Sequence, residues 1–115
     1  AMMMLLPHCV RFNLDHGIHA GLYGELLDAL APARAAGLGA NASSDERDRA
    51  FCEHLASLND LYHDTYGVPL RLSELGVTRE DLPAVAKQAR YDGAALYNET
   101  EITLEDALAI LEAAY

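Results

Sequence analysis

The stretch SSDERDRAFCEHLASLNDLYHDTYGVP, residues 43–69, does most to limit what this chain can fold into. Phe51, Leu55, Leu58 and Tyr62 step by four, three and four residues, which puts them on one face of a helix. Ser44 reads as the N-cap, and Asp45 and Glu46 stand where the positive end of the helix dipole favours acids. Gly67 allows the left-handed C-terminal stop, and Pro69 confirms it. No stretch elsewhere in the chain shows convincing strand alternation.

The remaining segments read as helices around this one. Residues 2–12, MMMLLPHCVRF, are apolar on every side, which implies burial all round, with Pro7 at a kink or near a turn. A second helix begins after Asp15 as N-cap, shows Ile18, Leu22, Leu26, Leu27 and Leu30, and stops at Pro32. AAGLGANASSDERD is a loop by its small residues and glycines, and residues 36–44 are expected to be its mobile part. LRLSELGV gives one or two helical turns closed by Gly76. TREDLPAVAKQAR is capped by Thr78 or Asp81, with Pro83 in the first turn. Asp92-Gly93 breaks the chain, and TLEDALAILEAA has Thr103 as N-cap with Asp106 three residues on, an aspartate version of the capping box. The expectation is an all-α, compact domain of about six helices over residues 1–115. Its core should contain Leu26, Leu30, Phe51, Leu55, Leu58, Leu75, Leu82, Val85, Leu108 and Leu111.

A length of 115 residues allows one domain, and 51% hydrophobic content argues against disorder. The net charge of -10 repels a phosphate backbone, so nucleic acid is a poor partner. No run approaches the roughly 20 apolar residues of a membrane span, and the opening lacks the basic start of a signal peptide. A cytoplasmic protein that neither spans nor enters a membrane is expected. Cys9 and Cys52 lack CxxC spacing and read as buried free thiols.

Complete chemical motifs are missing. Asp15, His16 and His19 in DHGIH could offer three metal ligands, but Asp15 serves better as a cap, and a tight site needs more converging groups. Asp60, His63 and Asp64 read as a polar helix face near a C-terminus. Glu53 and His54 form no HExxH pair, and no GxSxG elbow surrounds a serine. His8 and Cys9, being adjacent on a helix, point about 100° apart. GLYG and GLGA follow no strand, so neither makes a dinucleotide loop.

Four stretches nevertheless carry a resemblance. LLPHCVRFN is similar to an LLPHVxRFN segment, and GVPLRLSELGVTREDLPAVAKQA to GIPxxLSELGVxEEDLPxLAxxA. YNETEIT matches the place of xNPRPxT, and LEDALAILEAAY that of a terminal xEDxxxILxxAx. Together they resemble the C-terminal helical domain of iron-containing (group III) alcohol dehydrogenases, over nearly the whole chain. The resemblance implies the C-terminal part of a dehydroquinate synthase-like helical domain. It also implies a parent enzyme that interconverts alcohols and aldehydes or ketones with NAD or NADP and a divalent metal, Fe²⁺ or Zn²⁺.

In that family the last metal-binding His lies in an HGxAN stretch just before LLPH, and Ala1 aligns with its Ala. The resemblance therefore implies a piece that starts a few residues after the last ligand. No catalytic, cofactor-binding or metal-binding residue of the family falls in this chain, and the expected partner is the absent N-terminal nucleotide-binding domain. Where the family has DxCxxxNPR, this chain has DGAALYNET. Ala94 thus replaces a Cys in a segment that lies by the substrate cleft, and Glu99 replaces a Pro. DHGIHAG is a second departure, richer in His than usual. The expected role is an inactive fragment of a dehydrogenase, the alternative a self-contained helical interaction or scaffold module. Apolar side chains from Met2 to Leu5, uncovered, are expected to drive self-association.

Overall fold

A computed structural model describes residues 2–115. Six α-helices are present: α1 (Met2–Asp15), α2 (Leu22–Leu30), α3 (Pro32–Gly37), α4 (Ser44–Tyr66), α5 (Leu82–Arg90) and α6 (Leu104–Ala113). Three short 3-10 turns, Leu72–Leu75, Arg79–Asp81 and Gly93–Tyr97, lie between them, and no strand occurs among the described residues. The molecule measures 45 × 35 × 19 Å, so it is about two helix diameters thick. A slab that thin leaves many apolar side chains at a surface.

Helix α1 runs through Pro7 and continues to Asp15, past the expected end at Phe12. Pro7 cannot donate to the carbonyl of Met3, four residues back. Asn59 on α4 supplies the missing donor: its Nδ2 lies 2.8 Å from the Met3 oxygen. Cys52 Sγ, also on α4, donates to the Pro7 carbonyl at 3.2 Å. The apolar helix and its proline are thus both anchored to the long central helix.

Asp15 does not cap α2, because the chain first makes a turn over residues 16–21. Gly17, His19 and Gly21 in this turn have φ of 70°, 58° and 89°. Left-handed backbone of that kind ends α1 and re-aims the chain, at little cost for glycine. Asp15 instead accepts from Arg49 at 3.2 Å. The start of α2 is held by Asp48 of α4, which accepts from the Gly21 and Gly24 N–H groups at 2.7 Å each. Asp48 is only 2% exposed, so a buried carboxylate satisfies two N–H groups that a helix start leaves open. Gly24 is needed beside it: a Cβ there would stand 3.0 Å from Arg47 Cβ.

Two further boundaries differ from expectation. The short α3 occupies Pro32–Gly37, where a stop and a loop were expected; Pro32 sits in its first turn, the one helical place that tolerates proline. The connection to α4 is therefore shorter than the expected loop of residues 36–44. The N-cap of α4 is Ser43 rather than Ser44. Ser43 Oγ accepts from Glu46 N at 3.1 Å while Glu46 accepts from Ser43 N at 3.3 Å, a reciprocal capping box. The other end is as read, with Gly67 at φ 69°. Thr103 and Asp106 also form the expected box at the start of α6.

Two apolar clusters hold the slab, and α1 contributes to both. Val10 and Leu14 join Leu27, Ala35, Ala50, Phe51 and Cys52, with Leu55 packed against them. Met4 joins Leu72, Leu82, Ala86, Ala107, Leu111 and Ala114, with Leu5 and Leu108 alongside. Phe51, Leu82 and Leu111 are buried as expected, and Leu58 is half-buried. Leu26, Leu30, Leu75 and Val85 are exposed instead. On α2 the cause is rotation: rows at i+4 drift about 40° per step. Asp48 turns Gly24 and Leu27 toward α4, which leaves Leu22, Leu26 and Leu30 outside. Leu75 lies in a 3-10 turn whose Leu72 already occupies the core, and on α5 that place belongs to Leu82 and Ala86.

Candidate functional site

The residues that could carry chemistry are dispersed by the fold. Asp15 is engaged with Arg49. His16 bonds through Nδ1 to the Phe12 carbonyl at 2.8 Å and stacks on the Phe12 ring. His19 faces Glu99 at 3.6 Å, with its ring edge toward Tyr23. His63 bonds the Val68 carbonyl at 2.9 Å and so closes the C-terminus of α4, while Asp60 and Asp64 are exposed. His54 meets Arg34. Among the described residues no three His, Cys, Asp or Glu side chains come together as a metal-binding group. The donors of the described residues are thus spread apart, where a tight site needs three or four that converge.

His8 and Cys9 are not a reactive pair either. Burial, helped by the Arg11 charge, lowers the His8 pKa and so keeps the imidazole neutral. Burial raises the Cys9 pKa, which disfavours a thiolate. Cys52 is buried, and neither cysteine is in a disulfide. His8 lines a groove of about 380 Å³ with Arg11, Arg71 and Arg79. Asp60 and Glu112 share it, and Glu112 pairs with Arg79, so opposite charges offset each other there.

Ala94 lies in the turn Gly93–Tyr97 and is exposed. Asp92 sets that turn by accepting from the Ala94 N–H at 2.8 Å. Leu96 and Tyr97 beside it are 80% and 91% exposed. The His19–Glu99 contact ties this segment to the turn between α1 and α2. The two places where the chain departs from the LLPH-type pattern, DHGIHAG and YNET, are thus neighbours in space.

Sequence reasoning missed Asp48 and Asn59, two of the polar residues that join one helix to another. Asp48 is 24 and 27 residues from its partners, so no local motif announces it. Asn59 had a readable signal, since Pro7 inside a helix requires a donor for the residue 3 carbonyl.

Residues 1–115 match the profile described as Fe-containing alcohol dehydrogenase family, C-terminal. The chain belongs to this family of oxidoreductases and is an all-α part of it. It is similar to lactaldehyde reductase of Escherichia coli, strain K12, at 34% identity over 116 residues. The lactaldehyde reductase of Escherichia coli O157:H7 is similar to the same degree. Each match covers 100% of this chain and 27% of the relative, so the chain spans about a quarter of the length of these curated relatives. No helix among the described residues is long and apolar enough to cross a membrane.

Proposed function

We propose that this chain serves as the closing helical part of a metal- and NAD(P)-dependent alcohol dehydrogenase acting on a small alcohol–aldehyde or ketone pair. The observation that carries the reading is the end-to-end match of residues 1–115 to the family's C-terminal profile. The similarity to lactaldehyde reductase supports a short oxygenated aldehyde as substrate. The chain's contribution is structural: it supplies a rigid helical wall and, at residues 92–100, an exposed turn beside which substrate would lie, with Ala94 in place of a bulkier thiol. The redox cofactor and the metal, Fe²⁺ or Zn²⁺, belong to regions supplied by the partner nucleotide-binding domain and the helices that precede LLPH in the family. The compartment that fits is the cytoplasm.

Two measurements test this. The isolated chain, given lactaldehyde, NADH or NADPH and added Fe²⁺ or Zn²⁺, is expected to show no turnover. A chimera in which this chain replaces the matching quarter of E. coli lactaldehyde reductase is expected to keep metal-dependent turnover. A chimera that folds and loads metal but stays inactive would overturn the assignment, as would metal-dependent activity of the chain alone.

A further inference from the structure

Residues 91–100 contribute nothing to the core. None of them is buried, and Tyr91, Leu96 and Tyr97 stand out to solvent. Arg90 and Glu101, at the two ends, pair at 3.6 Å and close the stretch into a loop. A cavity of about 320 Å³ lies within it, lined only by residues from Arg90 to Ile102. The loop is therefore loosely packed, and local bonds such as Asp92 to the Ala94 N–H shape it.

Among the described residues one polar side-chain contact ties this loop to a distant element: His19 Nδ1 stands 3.6 Å from Glu99 Oε1. The His19 side is firm. Asp48 of α4 fixes its turn by accepting from the Gly21 N–H at 2.7 Å. The Tyr23 ring of α2 meets the imidazole edge-on at 6.1 Å between centroids, and Tyr23 stacks on the buried Phe51. The other charged groups near this turn are engaged elsewhere. Asp15 pairs with Arg49, Asp48 serves the Gly21 and Gly24 N–H groups, and Asp106 of α6 interacts with His16.

At 3.6 Å a neutral imidazole makes no hydrogen bond to a carboxylate, so charge is what acts across this gap. An imidazole takes up its proton between about pH 8 and pH 5, where a glutamate carboxylate stays charged. A guanidinium keeps its charge throughout, so the Arg90–Glu101 closure does not titrate in that range. We propose that His19 and Glu99 form a protonation-dependent latch on the loop of residues 91–100. With the imidazolium present, the loop is held against the turn between α1 and α2. With the neutral ring it is free to swing on the Arg90–Glu101 closure. The latch rests on this contact and not on the dehydrogenase reading, so either can fail without the other.

Quenched-flow amide exchange at Ala94, Ala95 and Asn98 of the full 115-residue chain tests it. Dividing each rate in Glu99→Gln by the native rate at the same pH cancels the intrinsic dependence of exchange on pH. For an exposed ion pair the ratio is expected to be about two to five at about pH 5.5 and about one at about pH 8. In a His19→Gln chain the Glu99→Gln change should leave the rates unaltered at both pH values. In a His16→Gln chain the ratio should persist, since His16 bonds the Phe12 carbonyl instead. Glu99 is mostly exposed, so its substitution leaves the helices intact, which far-UV circular dichroism checks. A ratio of about one at the lower pH overturns the inference. So does a ratio that is equal at both pH values, one that survives His19→Gln, or one that is lost in His16→Gln.

Discussion

The two apolar clusters of this slab mix large and small side chains alike, but differ in where the polar groups beside them sit. Around Phe51, a buried carboxylate is part of the structure. Leu27 is fully buried, and Asp48 joins α4 to the start of α2 through two short bonds. Around Leu82, Met4, Leu72 and Leu111 pack together with Ala86, Ala107 and Ala114. The polar groups at that end sit on the surface: Glu74, Asp81 and Asp106 each accept bonds at the start of a turn or helix. One half therefore has a buried carboxylate joining its helices, while the other keeps its acidic caps nearer the surface. Similar helix content does not mean similar sensitivity to mutation or to acid.

The largest difference should come from Asp48→Ala. It leaves the Gly21 and Gly24 N–H groups without partners inside the molecule, and an unsatisfied buried donor costs about 1–3 kcal/mol each. Chemical denaturation should show a loss of that size, with amide protection falling first in α2. A cost below about 1 kcal/mol, which is the size of a surface cap, would remove the proposed contrast.

Gly24→Ala sharpens the same point at smaller magnitude. The added Cβ meets Arg47 Cβ at 3.0 Å, and crowding of a well-packed contact costs about 1–3 kcal/mol. Gly93→Ala is the control, since a Cβ there meets nothing within 4 Å. Equal melting temperatures for the two variants would show that α2 and α4 are not as closely seated as described.

The smallest effect is the acid limb of the other half. Bonds from the Leu70 and Arg71 N–H groups lower the Glu74 pKa, and Thr78 and Thr103, through hydroxyl and N–H, lower those of Asp81 and Asp106. A lowered folded pKa means that these groups add stability above the ordinary carboxylate value of about 4, and that this is lost as pH falls through the lower folded values. Amide exchange followed downward from pH 5 should therefore show α5 and α6 loosening. Asp106→Asn should flatten that dependence for α6. Protection of α5 and α6 that does not fall over this range would place the acid-sensitive groups elsewhere. His8 acts in the same direction at higher pH: its lowered pKa means that stability held above its ordinary value of about 6.5 is lost as the pH drops below it.

Much of this architecture was legible in the residues. The stop of α4 at Gly67, the Thr103–Asp106 box and the place of Pro83 follow from rules that act within a few residues. The family followed from the spacing of LLPH, LSELGV and EDLP, because those stretches survive as local patterns. The burial of α2 was not legible. Its leucines form more than one plausible row, and which row faces inward depends on Asp48, a residue far along the chain. The same limit applies to Ala94. Its place in an exposed turn, with Glu99 beside His19, became visible only once the chain was folded. The sequence by itself determined the stop of α4 and the start of α6, because caps and glycines act on neighbouring backbone groups. The tertiary structure alone decided which faces are covered, how the Met3 carbonyl is satisfied across from Pro7, and why the histidines stay apart. Those outcomes are settled by contacts between groups that are distant in sequence, and no local pattern encodes them.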